Sequence, residues 1–170
     1  MIISKRTINL LTDFAKVNPS ILIKKNDKLR TMSNMKNILA VADCEERFPF
    51  DMPIYHLKEF ANVLKTYAYP EILQDDRKDT VVIREFNNDT HLTRYKLADK
   101  EMITTIDEEK LKDVKSRFDD SRRITIKITA FDFARIIKVI KTIDANLLSI
   151  AIQSGKGTLS VANGTNSWDR

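Results

Sequence analysis

Hydrophobic residues recur at helical spacing in three stretches of the chain. The first stretch runs from Ser4 to about Val17, the second covers residues 57–68, and the third extends to about Asp144. Their apolar sides consist of Ile8, Leu11, Phe14 and Ala15, then Leu57, Phe60, Ala61, Leu64 and Ala68, then Phe133, Ile136, Ile137 and Ile140. Lysines, arginines and amides fill the opposite sides. This pattern predicts three amphipathic helices with cationic outer surfaces.

The second and third helices match one another position for position. Phe60 corresponds to Phe133, Ala61 to Ala134, Asn62 to Arg135 and Lys65 to Lys138. The Asp13–Lys16 stretch resembles the same motif, but it comes late in its helix and is treated as coincidence. A helix that recurs with its apolar and cationic positions preserved indicates a repeated structural unit.

Short segments typical of β-strands fill most of the chain between the helices. They are residues 1–4, 20–24, 29–33, 37–43, 48–54, 71–74, 80–86, 91–97, 102–106, 123–129, 147–153 and 158–162. The polar turn 25–28 predicts a hairpin of segments 20–24 and 29–33, and the turn 154–157 predicts another near the end. Residues 107–121 are highly charged and predict a connector, with a short helix through Leu111 and Val114 as an alternative.

The resulting order repeats a strand, a helix and further strands in units of roughly 50 residues. We therefore expect an α+β protein with an N-terminal domain of two repeats over residues 1–106 and a connector over 107–121. Residues 122–170 are expected to form a partial second domain. This last part lacks a closing strand and a fourth unit, so the sequence predicts a truncated chain.

Composition allows a folded protein with a polyanionic partner. The 170 residues are 42% hydrophobic, which is enough for a core, and carry a net charge of +5 with a pI near 9.3. The chain has no apolar segment of membrane-spanning length and no export signal, so a cytoplasmic location is predicted.

Residues able to support catalysis are sparse. His56 and His91 have no acidic or cysteine neighbours at a metal-ligand spacing, and Cys44 is expected in or near a core strand. All 3 glycines follow residue 150, and the stretch 154–158 is interpreted as a hairpin turn because it lacks the upstream glycine of a phosphate loop. No catalytic residue, metal site or cofactor is therefore predicted, and the chain is not expected to be an enzyme.

The cationic helix sides are the remaining candidate for a binding site. Phe14, Phe60 and Phe133 are predicted on core-facing sides, so they are poor candidates for stacking on single-stranded bases. On any one helix, lysines opposite an apolar side are most simply solvated residues. Three such helices at equivalent positions of a repeat favour a shared polyanionic partner instead, and an α+β protein-interaction module with merely solvated helices stays the alternative.

Two stretches resemble the DNA polymerase sliding clamps of T-even-type bacteriophages. Residues 1–7, with Leu11, Phe14, Ala15 and Asn18 after them, resemble the first strand and helix of that family, and Phe50, Asp51, Ile54, Tyr55, Leu57 and Phe60 resemble its second helix entry. The likeness is most specific over about the first 65 residues. Over residues 70–121 it consists mainly of the order in which the predicted elements follow one another. His56 replaces the usual aspartate at the helix start, so that cap is expected to be weaker or made differently.

The resemblance implies a DNA clamp fold in which helices lie on one face of antiparallel sheets. It further implies that two-domain subunits form a homotrimeric ring around double-stranded DNA. Such a ring would be a viral replication factor that an ATP-driven clamp-loader complex places on the DNA and that tethers the replicative DNA polymerase. The helix cations would then contact phosphates without reading bases. These predicted DNA-binding residues are Lys5, Arg6, Lys16, Lys58, Lys65, Arg135, Lys138 and Lys141.

Overall fold

The chain forms two compact units in a computed structural model that describes residues 1–121, 126–153 and 156–164. The units are Met1–Val114 and Lys115–Arg170. The elements, in order, are α1 (Lys5–Val17), β1 (Ile21–Ile23), β2 (Leu29–Met32), β3 (Leu39–Ala42), β4 (Met52–Ile54), α2 (Leu57–Lys65), β5 (Pro70–Gln74), β6 (Thr80–Glu85), β7 (Asn88–Lys96), a 3₁₀ turn (Lys100–Met102), α3 (Glu108–Ser121), α4 (Ala130–Thr142), β8 (Leu147–Gln153) and β9 (Lys156–Ala162). The predicted α+β class is confirmed.

Helix α1 begins and ends where the sequence indicates. The Ser4 hydroxyl accepts a hydrogen bond from the Thr7 backbone N–H at 3.2 Å and caps the helix. At the other end, the Asn18 N–H donates to the Phe14 carbonyl, and Pro19 prevents further turns. The helix buries Ile8, Leu11 and Phe14, as its periodicity predicts.

Helix α2 is capped by the backbone of another segment. The His56 side chain makes no capping hydrogen bond, but the Leu57 N–H donates to the Pro19 carbonyl at 2.7 Å. The different cap expected at His56 is thus present, and it fastens the start of α2 to the end of α1. The helix stops at Lys65, so Ala68 lies outside it and is exposed, contrary to the sequence-based prediction.

The hairpin predicted around residues 25–28 is wrong. Strand β1 pairs antiparallel with β4 and not with β2, with Ile21 opposite Ile54, while β2 pairs with β3. The turn is drawn to the segment before β4 because the Lys25 N–H donates to the Asp51 carboxylate and the Asn26 N–H to the Phe48 carbonyl. Segment 48–54 forms a strand only from Met52, and its Pro53 lies in a strand that has one hydrogen-bonded partner.

The sheet β5–β6–β7 forms from the strands predicted for it. Its register sets Ile72 opposite Ile83 and Val81 opposite Tyr95, and Ile2 adds an antiparallel bridge to Glu71. The strand predicted at 102–106 is absent. A 3₁₀ turn and an irregular segment stand there, and most of the predicted connector is the helix α3, the alternative left open above.

The core of the first unit lies beneath α1 and α2. Leu11, Leu57, Phe60 and Leu64 are completely buried, and the edge of one ring of the Phe60–Tyr95 pair meets the face of the other with 5.0 Å between centroids. Phe14 is buried as well, at 6% exposure. The predicted inner sides of both helices are therefore confirmed.

The second unit contains α4 and the predicted β8–β9 hairpin, with Leu147 opposite Ala162. The Thr129 hydroxyl caps α4 by accepting from the Asp132 N–H. Phe133 was predicted on a core-facing side of its helix, but the residue is 53% exposed. It lines an apolar cleft of about 160 Å³ with Ile136, Ile137, Ile140, Ile126, Ile128, Leu148, Ile150 and Leu159.

Parts of two further predictions fall outside the described residues. Residues 123–125 of the predicted strand 123–129 are among these, and the described remainder, 126–129, is irregular and not a strand. The first half of the turn 154–157 also lies outside. Within the described ranges, no helix combines the length and the apolar character needed to cross a membrane.

Candidate nucleic-acid interface

Helices α1 and α2 pack against each other and bring lysines from both into one cleft. Lys5, the first residue of α1, and Lys65, the last residue of α2, line an open cleft of about 260 Å³. Asn9 lies one turn after Lys5 on the same side of α1, and Ile8, Tyr67 and Ala68 complete the lining. The start of α1 therefore lies beside the end of α2.

Two of the predicted cations are paired with carboxylates. The Lys16 Nζ lies 2.6 Å from the Asp13 carboxylate, three residues earlier on α1. The Arg6 guanidinium lies 3.2 Å from the Glu45 carboxylate, in the loop between β3 and β4. All four side chains are exposed, so each pair contributes little to stability. Each carboxylate nevertheless lowers the positive potential that its cation would present to a polyanion.

The start of α1 is stabilised by a carboxylate from outside the helix. Lys5 and Arg6 occupy the first turn, where the positive end of the helix dipole disfavours cations, and α1 has no acidic residue there. Glu46 supplies the missing negative charge, since its carboxylate accepts hydrogen bonds from the Ser4 N–H and the Thr7 hydroxyl. Burial raises the pKa of Glu46, but the bonds from Thr7 and Ser4 outweigh burial and hold this pKa below its ordinary value.

Lys5, Lys58 and Lys65 differ from the paired cations. All three are exposed, and none has an ion-pair partner among the residues that the structure describes. Lys58 and Lys65 are seven residues apart, so both lie on the same side of α2. Three of the predicted cations in the first unit therefore have no ion pair with a described carboxylate.

Helix α4 presents its cations in the same way. Arg135, Lys138 and Lys141 are exposed, and within the described ranges none is paired with a carboxylate. Arg135 and Lys138 lie opposite the helix side that carries Phe133 and Ile140. All eight predicted residues are therefore exposed, while their joint action on DNA stays a prediction.

Sequence reasoning did not identify the roles of Glu45, Glu46 and Asn9. The contacts of Glu45 and Glu46 with Ser4, Arg6 and Thr7 span 39 or more positions, so no local pattern indicates them. One signal was available: a helix that opens with Lys-Arg and has no acid in its first turn needs an anion from elsewhere. Asn9 was recognised as a polar residue of α1 but not as part of a cleft.

The environment of Cys44 does not favour a reactive thiol. Cys44 is half-buried two residues after the end of β3 and near Thr7, as expected for a residue near a core strand. Burial raises the pKa of its thiol, and the negative charge of Glu46 raises it further. The thiol is therefore protonated at neutral pH and a weak nucleophile.

These features define an α+β protein with helices packed on antiparallel sheets and cations on the outer helix sides. The chain is 25% identical over 162 residues to the sliding clamp of Vibrio phage KVP40, a match that covers 95% of this chain and 70% of that protein. The resemblance to phage sliding clamps is confirmed by this similarity, and so is the clamp fold. No protein-family model matches the chain.

Proposed function

We propose that the chain is a subunit of a DNA sliding clamp, a non-enzymatic processivity factor that encircles duplex DNA and tethers a replicative DNA polymerase. The observation that carries this proposal is the pair α1 and α2, which bury their apolar sides in one core and present unpaired lysines outward. The similarity to a phage sliding clamp supports it independently.

The exposed cations fit the requirement that a clamp must slide. Lysine and arginine attract phosphates equally along any sequence, so such contacts position the protein without stopping it at particular bases. A protein held on DNA only by such weak contacts would dissociate quickly. Enclosure of the duplex by a closed ring would supply the retention that these contacts lack.

The assembly follows from the resemblance. Three copies would close into a ring with α1, α2 and α4 toward the hole, and a clamp-loader complex would open it with ATP. Each subunit would consist of an N-terminal domain over residues 1–106, a connector over 107–121 and a second domain from residue 122. The factor would act in the cytoplasm of a phage-infected cell.

Retention on circular DNA tests this function directly. Protein loaded onto nicked circular duplex by the cognate loader and ATP should stay bound in a salt wash and leave when a restriction enzyme linearises the circle. Equal retention on circular and linear DNA would contradict enclosure. Uncut circles incubated without restriction enzyme provide the matched control for spontaneous release.

Salt dependence tests the lining. Each lost phosphate contact should reduce the slope of log affinity against log salt by about 0.9. Lys65→Glu combined with Lys138→Glu removes about two such contacts and should reduce the slope by about twice that amount. Fluorescence anisotropy with labelled duplex measures this slope. Unchanged slopes would favour the alternative, an interaction module whose lysines are merely solvated.

A further inference from the structure

The cleft between α1 and α2 contains two lysines that come from different helices. Lys5 and Lys65 line it together with the Asn9 amide, and neither lysine has an acidic partner within the described part of the chain. Glu46 lies near the same end of α1, but its oxygens accept from the Ser4 N–H and the Thr7 hydroxyl. Two like charges that share one cleft favour an anion between them.

The cleft wall is fixed in position. The Tyr67 hydroxyl is hydrogen-bonded to the Thr93 hydroxyl at 2.8 Å, which attaches this wall to strand β7. The cleft volume of about 260 Å³ is ample for one phosphate group.

The other cations of α1 are less suited to this role. Lys16 lies about three turns along the helix from Lys5, and its charge is offset by Asp13 at 2.6 Å. Arg6 is likewise offset by Glu45 at 3.2 Å. A phosphate that replaced either carboxylate would first have to break an existing pair.

We infer that this cleft, defined by Lys5, Asn9 and Lys65, binds one phosphodiester group of the DNA backbone. Lys5 and Lys65 supply the charge and the Asn9 amide supplies a neutral donor, while Lys16 and Arg6 contribute little to binding. The inference rests on the proposed function and assigns unequal parts to cations that the sequence treats as equivalent.

The test compares single substitutions in duplex-binding titrations at several salt concentrations. Because both lysines hold the same phosphate, Lys5→Gln and Lys65→Gln should each reduce the salt slope by up to about 0.9, and their combination by no more than about 0.9, so that a rise from 50 to 200 mM salt weakens binding up to about 3.5-fold less than in the unsubstituted protein. Lys16→Gln, which changes an exposed lysine of the same helix, should leave the slope unchanged. Lys5→Arg keeps the charge and should keep the slope.

The outcomes separate this inference from the function beneath it. If the unsubstituted protein binds duplex in a salt-dependent way but Lys5→Gln and Lys65→Gln behave like Lys16→Gln, the cleft assignment is overturned and the proposed function stands. If the unsubstituted protein is also released equally from circular and linear DNA, the proposed function fails as well. A reduced slope for the cleft variants alone, with unchanged circular dichroism, supports the cleft.

Discussion

Truncation of Phe60 to alanine offers the sharpest test of the helix assignment. The ring is completely buried at the core-facing side of α2 and packs edge-to-face on Tyr95 at 5.0 Å. Phe→Ala changes in cores reduce the free energy of unfolding by about 3 to 5 kcal/mol. The aromatic pair adds about 0.5 to 1.5 kcal/mol beyond area burial, so Phe60 is expected in the upper half of that range.

Phe133 is the matched control because it occupies the equivalent position of the repeated helix. Its side chain is 53% exposed, so truncation removes only about half of the burial that a core phenylalanine provides. Complete burial of such a side chain contributes about 1.5 to 3 kcal/mol, which predicts a loss near 1 kcal/mol for Phe133→Ala. Lys58→Ala, on the outer side of α2, should change stability by less than about 0.5 kcal/mol.

Native-state hydrogen exchange measures each helix separately, which matters because two compact units can unfold in separate transitions. Protection should fall strongly in α2 for Phe60→Ala and only slightly in α4 for Phe133→Ala. Equal losses of protection in the two helices, or a loss of unfolding free energy below about 1 kcal/mol for Phe60→Ala, would refute the reasoning. Either result would mean that the apolar side of α2 is not more deeply buried than that of α4.

Three further substitutions test individual contacts. Glu46→Gln should reduce the free energy of unfolding by about 1 to 2 kcal/mol at pH 7. Because the pKa of Glu46 in the folded protein is below its ordinary value of 4.5, the wild type loses this stabilisation as the pH falls through that folded pKa. A difference between the thermal melts of the two proteins that is the same at pH 7 and pH 3 would contradict this. Asp51→Asn removes the negative charge that holds the Lys100 ammonium at 2.7 Å and leaves one oxygen to accept from the Lys25 N–H, now at 2.8 Å. Limited proteolysis should then cut the segment 97–106 faster, whereas Lys96→Gln, whose pair is longer and exposed, should not have this effect. Thr129→Ala removes the cap of α4 and should lower its stability by about 0.5 to 2 kcal/mol, seen as faster amide exchange in its first turn, while an unchanged rate would mean that the hydroxyl is not the cap.

Elements defined by periodicity or local caps could be predicted from the sequence. Ser4 and Asn18-Pro19 bound α1 by local chemistry, and strict spacing identified the buried sides of α1 and α2. The last hairpin was predictable because its strands are adjacent and joined by a short polar turn. Each of these predictions depends on residues within a few positions of one another.

Predictions that depended on distant partners failed. Segments 20–24 and 29–33 have the pattern of a hairpin, but β1 pairs with β4, and the deciding acceptor, the Asp51 carboxylate, lies 26 residues from Lys25. The pairing of Arg6 with Glu45 across 39 residues escaped for the same reason. Sequence periodicity records which side of an element is apolar, but it does not record which segment covers it.

The equivalence of Phe60 and Phe133 shows this limit within a single chain. Both residues open the same motif, and both helices place lysine opposite it, so local sequence assigns them the same environment. One ring is enclosed by α1 and a three-stranded sheet in the first unit, while the other lines an apolar cleft beside a two-stranded hairpin. Since the cationic sides of α2 and α4 are equally exposed, the repeat preserves the surface that would contact DNA more faithfully than the packing beneath it. The polyanionic partner proposed above would require the cationic side on both helices, whereas it would place no such requirement on the packing beneath them.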